Sequence, residues 1–173
     1  LAFYHPNSLI AARMLTRSPK DVIDAAFFKK RLAEAIAYRA KVCPEENAYR
    51  LCFGESDGLP GLVIDRYGSV LVLQILCAGI EKRLDIIAEV LNDLLKPTGI
   101  YLKNDHRTRA LEGLPLECRT FSGTVPEKVA IMEGGLRFCA DIGEGQKTGH
   151  YFDQRDNRAF LRPYFKGRNV LDL

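Results

Sequence analysis

The glycine-rich polar segment Gly143–Gly149 has residue types that could form a phosphate-binding site, because backbone amides in such loops can bind phosphate. A nucleoside-triphosphate loop needs glycine directly before its Lys-Ser/Thr pair and another glycine five residues before that one. In this chain Gln146 and Asp141 occupy those two positions. The spacing therefore argues against a triphosphate-binding loop.

Three acidic residues around a predicted turn could form a carboxylate pair for acid–base chemistry. Glu55 and Asp57 lie in the turn over residues 54–61, and Asp65 lies in the strand that follows. The sequence places no His or Lys beside them to complete a catalytic site. Asp, Gly and Pro are also the residues that a tight turn requires. A structural turn is therefore the favoured interpretation.

The cysteines and histidines indicate neither a metal centre nor a catalytic triad. The five cysteines include no Cys-x-x-Cys pair and have no flanking His at ligand spacing. His5, His106 and His150 are far apart in the sequence and form no Ser-His-Asp pattern, and His106 is expected on a solvated loop. We predict no metal site, and the odd number of cysteines favours a cytoplasmic protein over a disulfide scaffold.

The composition bounds the class of protein. The chain has 173 residues, of which 47% are hydrophobic and 27% charged, as in a globular chain of one domain or two small ones. No apolar run approaches the roughly 20 residues that span a bilayer. The net charge is +3, with the basic excess at the two ends. This charge is compatible with a nucleic-acid surface but weaker than that of a dedicated binder.

The elements that must position any site begin with a helix predicted over Pro19–Arg39. Ser18 as cap, Pro19 at the first helical position and Asp21 three residues after Ser18 are typical of a helix start. Apolar residues follow at helical spacing, which predicts one buried face. Residues 1–17 precede this helix and look like the tail of another domain.

Strands dominate the next part of the chain, with a second helix among them. Hydrophobic periodicity and turn residues predict them in this order: strands Ala48–Phe53, Leu62–Tyr67 and Val70–Cys77, helix Ile80–Leu95, and strand Ile100–Lys103. The third strand is apolar almost throughout, which is typical of a strand buried on both faces. The order of elements predicts a small α/β layer with its own core.

The last part of the chain contains further predicted elements. Residues 104–126 are rich in turn formers and are predicted to be irregular. They are followed by a hairpin over Lys128–Ile142, a helix from Asp153 to about Phe165, and a strand over Asn169–Leu173. A parallel domain that has just begun its first strand should not stop there, so the chain is expected to be cut.

Three segments resemble a known family, in the right order along the chain. Gly145–Arg158 followed by Asn169–Leu173 looks like the beginning of the catalytic domain of S-adenosylmethionine-dependent RNA methyltransferases, of the large-subunit ribosomal RNA (cytosine-C5)-methyltransferase I type. Glu55–Gly68 is similar to the hairpin of that family's central domain. Phe3–Arg13 resembles the end of its amino-terminal PUA domain, a small RNA-binding barrel.

The resemblance implies an α/β chain in three parts. Residues 1–18 would be the carboxyl-terminal tail of a PUA-like domain, and residues 19–126 a complete central α/β domain. Residues 127–173 would be a β-hairpin and the beginning of a Rossmann-like class I methyltransferase domain, which is truncated.

The resemblance also implies roles for individual residues. Those expected near the cofactor S-adenosylmethionine are Gln146, Thr148, Tyr151 and Asp153. Those expected to bind RNA are Arg13, Lys147, Arg155 and Arg158. Asp172, at the end of the last predicted strand, either accepts hydrogen bonds from the cofactor or caps a turn.

The implied reaction is methyl transfer to C5 of a cytosine in large-subunit ribosomal RNA, with a cysteine thiolate as nucleophile. None of the five cysteines matches that nucleophile, so no catalytic residue is assigned and the fragment alone is expected to be inactive. Ribosomal RNA is the expected partner, a homodimer is allowed, and no membrane is involved. Two alternatives stay open: a non-catalytic RNA-binding adaptor, and a methyltransferase that acts on guanine N2 or N7.

Overall fold

A five-stranded mixed sheet forms the centre of the computed structural model, which describes residues 1–171. Its strands lie side by side in chain order: β3 Ala48–Phe53, β4 Leu62–Tyr67, β5 Val70–Ile75, β6 Gly99–Asn104 and β7 Glu117–Gly123. β5 and β6 are parallel, and the other neighbours are antiparallel. Two antiparallel pairs flank this sheet in the sequence: β1 Ala2–Tyr4 with β2 Ala12–Met14, and β8 Lys128–Glu133 with β9 Leu136–Asp141.

Five α-helices and two short 3-10 helices, Gly54–Asp57 and Phe152–Gln154, complete the described chain over residues 1–171. The α-helices are α1 Ala25–Val42, α2 Ala78–Glu81, α3 Leu84–Leu95, α4 Thr108–Leu111 and α5 Arg155–Phe165. α2 and α3 connect β5 to the parallel strand β6, as such a crossover requires. The mixed α/β class that the sequence predicted is confirmed. No helix of the described residues is long and apolar enough to cross a membrane.

The central sheet is covered on both faces. Leu71 and Leu73 of β5 belong to a core that includes Leu32 of α1 and Leu91 of α3. Val70, Val72 and their neighbours on the other face pack against the β8–β9 hairpin, including Ile131 and Ala140. Because successive residues of a strand point to opposite faces, an apolar strand such as β5 needs two covers. The prediction that this strand is buried on both faces is confirmed.

The predicted start of the first helix is wrong. The helix begins at Ala25, with Asp24 as its cap: the Asp24 side chain accepts a hydrogen bond from the backbone N–H of Phe27 at 3.0 Å. Asp21 instead accepts a hydrogen bond from the Thr16 hydroxyl at 2.6 Å, and Ser18 accepts one from the backbone of Lys20. The residues that suggested a capping pattern therefore stabilise the turn before the helix.

The prediction that residues 104–126 are irregular is also wrong. They contain α4 and β7, and β7 pairs with β6 at the edge of the sheet. Every β7 side chain is exposed or half-buried. The strand therefore lacks the alternating apolar pattern from which a strand is predicted. The last predicted strand is not formed over residues 169–171, and the remaining two residues, Asp172 included, lie outside the described part of the chain.

The β1–β2 pair packs closely against the central unit at Phe3. Phe3 of β1 lies against the hydrophobic core. A Cβ atom added to Gly79 of α2 would lie 2.2 Å from the Phe3 ring, closer than such atoms approach in proteins. Glycine at this position of α2 therefore leaves the space that the Phe3 ring occupies.

Substitution of Gly79 tests this contact. Alanine is normally favoured over glycine within a helix, yet we expect Gly79→Ala to lower the free energy of unfolding by about 1–3 kcal/mol, because the new methyl group overpacks the site. In a Phe3→Ala background the same change should be neutral or stabilising. Urea denaturation would measure all four proteins.

Gly143→Ala is the matched control, because a Cβ atom there would have its nearest neighbours at 4.0 Å. An equal loss of stability from Gly79→Ala with and without the Phe3 ring would contradict the proposed contact.

Candidate functional site

A buried lysine fixes the glycine-rich segment to the central sheet. Lys103 of β6 is 3% exposed, and its ammonium group donates hydrogen bonds to the carbonyl oxygens of Ile142 at 3.1 Å, Gly143 at 3.0 Å and Gly145. A buried ammonium group requires such partners, because desolvation of an unpaired charge is costly. Three acceptors match its three donors. Lys103 was not predicted from the sequence, because it resembles an ordinary solvent-facing residue at a strand end.

Two of the glycines serve close backbone packing in this segment. A Cβ atom at Gly145 would lie 2.3 Å from the carbonyl oxygen of Asp141, and one at Gly149 would lie 2.8 Å from the same atom. Gly149 also has a φ of +127°, a conformation that side chains other than hydrogen disfavour. The glycine content of this segment thus has a structural cause, in agreement with the argument against a triphosphate-binding loop.

A buried carboxylate holds the other end of the segment. Asp65 of β4 is fully buried and accepts two hydrogen bonds from the Arg50 guanidinium, at 2.9 and 3.0 Å. It also accepts one from the Thr148 hydroxyl at 2.6 Å, and the Tyr67 hydroxyl lies 2.9 Å from the same Thr148 oxygen. Burial raises the pKa of Tyr67. Asp65 is therefore committed to the fold.

The other two acidic residues of the turn also have arginine partners. Asp57 accepts hydrogen bonds from Nη1 and Nη2 of Arg39, at 2.5 and 2.8 Å, and Glu55 accepts one from Arg13 at 3.0 Å. Both pairs join the turn to other elements, α1 and β2 respectively. The geometry supports the interpretation of these carboxylates as structural.

A basic cleft of about 890 Å³ opens between the β3 edge of the sheet, α1 and the glycine-rich segment. Five cationic and two acidic side chains line it, together with aromatic rings and two histidines. Its lining includes Arg39, Arg50, Phe53, Asp105, His106, Arg107, Lys147, His150, Asp153 and Arg155. His106 is exposed, as predicted from its loop. A cavity of this volume accommodates a ligand the size of a nucleotide.

The four residues predicted to bind RNA fall into two groups. Lys147 and Arg155 line the cleft. Arg13 is bound to Glu55, and Arg158 makes two hydrogen bonds to Glu133 at 2.7 Å, so both are engaged within the chain. Lys147 is not free either: its ammonium group lies 2.6 Å from Asp153 and 4.4 Å from the centroid of the Tyr151 ring.

The residues predicted to lie near the cofactor are brought together only in part. Gln146, Tyr151 and Asp153 are exposed on one continuous segment. The hydrogen bond from Lys147 lowers the pKa of Asp153, so this carboxylate is ionised at neutral pH. Thr148 is fully buried, with its hydroxyl bound to Asp65. Contact between these residues and a cofactor stays a prediction.

Most of the cleft wall was not predicted from the sequence. Arg39 comes from α1, Arg50 and Phe53 come from β3, and Arg107 precedes α4. These residues are up to 68 positions apart from one another in the chain and share no motif. The only sequence feature that pointed to a cationic wall was the basic excess in the amino-terminal quarter of the sequence.

The cysteines of the described chain differ in exposure. Cys52 and Cys77 are buried, and burial raises the pKa of Cys52 to about 12 and that of Cys77 in the same direction. A thiol with such a pKa is a poor nucleophile, because the thiolate is the reactive form. Among residues 1–171, no group of three or more His, Cys, Asp or Glu side chains is arranged to hold a metal ion.

Comparison with known proteins places these features in context. The chain is 42% identical over 174 aligned positions to "Ribosomal RNA large subunit methyltransferase I" of Yersinia pseudotuberculosis serotype O:1b (strain IP 31758) and to the protein of the same name from Yersinia pestis. Each alignment covers 99% of this chain and 44% of the relative. Nearly all of this chain is thus similar to one part of a longer protein. No family model matches it.

Two solved structures share the fold. One is a Streptococcus mutans protein described as a candidate SAM-dependent methyltransferase, and the other is a candidate methyltransferase in complex with SAH. Each has a TM-score of 0.74 and 22% sequence identity, and each match covers 87% of this chain. The matches cover 39% and 38% of the two solved chains. The chain therefore spans less than half the length of these solved chains as well.

An ion cluster joins the β8–β9 hairpin to α5 beside the cleft. Glu133 of β8 accepts hydrogen bonds from Arg158 of α5, and its carboxylate lies 3.0 Å from Nε2 of His150. Burial opposes ionisation of Glu133, but the hydrogen bonds from Arg158 and His150 outweigh it and hold its pKa below the ordinary value. The ionised form of Glu133 is therefore favoured by folding.

This shift predicts a pH-dependent stability. Because the pKa of Glu133 is lowered in the folded state, its stabilisation is complete above the ordinary value of 4.5 and is lost as the pH falls through the folded-state value. We expect Glu133→Gln to reduce the free energy of unfolding by about 1–3 kcal/mol at neutral pH, the usual loss for a hydrogen bond to a charged group.

The difference between Glu133→Gln and the unsubstituted chain should shrink as urea denaturation is repeated at lower pH. Glu144→Gln, which changes an exposed carboxylate, is the control and should have little effect. A deficit for Glu133→Gln that stays constant down to acidic pH would rule out the charged hydrogen bonds as its cause.

Proposed function

We propose that this chain supplies the RNA-binding part, and the beginning of the cofactor-binding part, of a SAM-dependent methyltransferase that modifies large-subunit ribosomal RNA. The observation that carries the proposal is its 42% identity, over 99% of its length, to proteins named for that activity. The basic cleft beside the glycine-rich segment gives a physical reason for it, since cationic side chains attract the phosphate backbone of RNA.

The three sheets suggest how the parts are divided. We assign residues 1–18, with β1 and β2, to the tail of a PUA-like RNA-binding domain, and residues 19–126 to a central domain built on the five-stranded sheet. Residues 127–173 then begin the methyltransferase domain with the β8–β9 hairpin and α5. The contact between Phe3 and Gly79 would hold the first part against the second.

Exposed side chains in the segment 146–153 could bind the positively charged groups of SAM. Tyr151 and Asp153 already hold an ammonium group, that of Lys147, through a ring face and a carboxylate. The amino group and the sulfonium of the cofactor carry the same sign of charge. We propose that Gln146, Tyr151 and Asp153 contact the cofactor, which supplies the methyl group, and that Thr148 positions their segment through Asp65.

The RNA is expected to approach the cleft along its cationic wall. We propose Lys147 and Arg155 as phosphate ligands, joined by Arg107. Arg13 and Arg158 stay candidates for the same role, and each would have to exchange its present carboxylate partner for a phosphate. The proposed location is the cytoplasm, where ribosomal RNA and free thiols coexist.

Within this activity, C5 of cytosine is the proposed target atom. The names of the relatives specify large-subunit ribosomal RNA and not the base. Methyl transfer to C5 requires a thiolate that adds to C6 of the ring and makes C5 nucleophilic. The sequence assigns that role to none of the five cysteines, and the buried Cys52 and Cys77 are unsuited to it.

An RNA-binding measurement tests the role of the cleft. We expect Arg107→Ala to weaken binding of this chain to an unmodified large-subunit ribosomal RNA transcript, and to reduce the slope of log affinity against log salt by about 1, because one phosphate contact is lost. Arg137→Ala, which removes an exposed arginine on β9 outside the cleft, is the control. Equal effects of the two substitutions would show that the cleft is not the binding surface.

A labelling experiment tests the reaction. A longer protein that contains this chain and has the length of the relatives is incubated with labelled SAM and unmodified large-subunit ribosomal RNA, and the labelled nucleoside is identified. We expect 5-methylcytidine from the longer protein, and RNA binding without label from the 173-residue chain. Label in a guanosine would replace the cysteine mechanism with transfer to N2 or N7. Binding without label in both proteins would favour a non-catalytic adaptor.

A further inference from the structure

An exposed phenylalanine lines the basic cleft. Phe53 is the last residue of β3, and its side chain is 50% exposed. Its backbone N–H donates a hydrogen bond to the Asp57 carboxylate at 2.6 Å, and Arg39 binds the same carboxylate. The backbone that carries the ring is therefore held in place by an ion pair, although the ring contributes little to the buried core.

A guanidinium group supports this ring from within the chain. The central carbon of Arg50 lies 5.1 Å from the centroid of Phe53, a distance typical of a cation–π contact. Arg50 is itself fixed by two hydrogen bonds to the buried Asp65, whose charge raises the pKa of Arg50 against the effect of burial. Phe53 is thus backed by a rigid cation, and its ring lines the cleft while half of its surface is exposed to solvent.

The charges around the ring favour an anionic ligand with a flat group. Arg39 and Arg50 are paired with Asp57 and Asp65, respectively. Arg107 is exposed, and its side chain makes no hydrogen bond or ion pair within the described residues 1–171. Asp105 also lines the cleft, so a phosphate is expected beside Arg107 and away from that carboxylate.

The form of nucleic acid that fits is a single strand. Bases within a duplex have their faces covered by neighbouring bases, whereas unpaired bases can stack on aromatic side chains. The combination of a cationic groove with an open aromatic ring is the usual architecture for binding single strands. The volume of about 890 Å³ also suits a nucleotide better than a double helix.

We infer that the cleft binds an unpaired nucleotide of the RNA, with its base stacked on Phe53 and an adjoining phosphate bound by Arg107. This inference rests on the proposed function, because it takes RNA as the ligand, and it adds the state of the RNA and the residue that receives the base. Stacking on Phe53 would make the cleft prefer unpaired RNA segments to paired ones.

A single tryptophan can report this stacking, because the chain contains none. In Phe53→Trp, a short single-stranded RNA of mixed sequence should quench the tryptophan fluorescence on binding, since a base lies against the indole ring. Tyr164→Trp is the matched reporter, as Tyr164 is 64% exposed on α5 and outside the cleft. Its fluorescence should change little with the same RNA.

Substitutions of Phe53 measure the contribution of the ring. We expect Phe53→Ala to weaken binding of the single strand by about tenfold, within the range found when a base-stacking ring is removed. Phe53→Leu should weaken binding nearly as much, because it keeps apolar bulk without a flat face, and Phe53→Tyr should retain it. Tyr164→Ala is the control, and circular dichroism of each variant checks that the chain is folded.

The outcomes separate this inference from the proposed function. Binding of RNA that is unaffected by Phe53→Ala would overturn the inference and leave the proposed function standing. Equal quenching by a duplex of the same sequence would overturn the preference for unpaired nucleotides. Quenching by SAH and not by RNA would mean that the cleft receives the cofactor. Absence of RNA binding in every variant and in the unsubstituted chain would remove both proposals.

Discussion

The buried carboxylate of Asp65 is the interaction on which the cleft depends. A charge in the interior requires partners with good geometry, and Asp65 takes them from two directions: Arg50 on the neighbouring strand and Thr148 on the glycine-rich segment. Removal of either partner would leave part of a buried carboxylate unsatisfied, which is more costly than the loss of an exposed ion pair. One wall of the cleft and the segment opposite it are therefore positioned by the same group.

Lys103 completes this arrangement from the adjacent part of the sheet. It binds backbone carbonyl groups just before the segment that Thr148 fixes, so the path from Ile142 to Thr148 is constrained at both ends. The exposed residues that follow, including Tyr151 and Asp153, are presented from a rigid base. A polar, glycine-rich segment with little regular structure can therefore hold the residues proposed to contact the cofactor in a defined position.

Periodicity and turn residues were sufficient to predict the covered parts of the fold. The strands β3, β4 and β5 are largely buried because both faces of the central sheet are covered, whereas β8 and β9 alternate because one face of the hairpin packs against that sheet. The edge strand β7 was not predictable in this way, because most of its side chains meet solvent and few are selected for apolar character. The start of α1 was mispredicted because Ser18 and Asp21 serve a turn that has the same local chemistry as a helix cap.

The candidate site was predictable only where it is continuous in the sequence. The segment 146–155 was found by resemblance, and the structure adds that its Thr148 points into the core. The opposite wall, with Arg39, Phe53 and Arg107, comes from separate elements that only the folded sheet brings together. A buried lysine such as Lys103 also carries no local signal, since its partners lie about 40 positions away.

The contact between Lys103 and the backbone has a consequence for how this protein can diversify. Carbonyl oxygens are present at every residue, so the anchor does not specify which side chains occupy positions 143 and 144, whereas Ile142 is fixed by its place in the core. Gly145 is different, because a side chain there would collide with the main chain of Asp141. Side chains at positions 143 and 144 can thus change while the course of the chain stays the same.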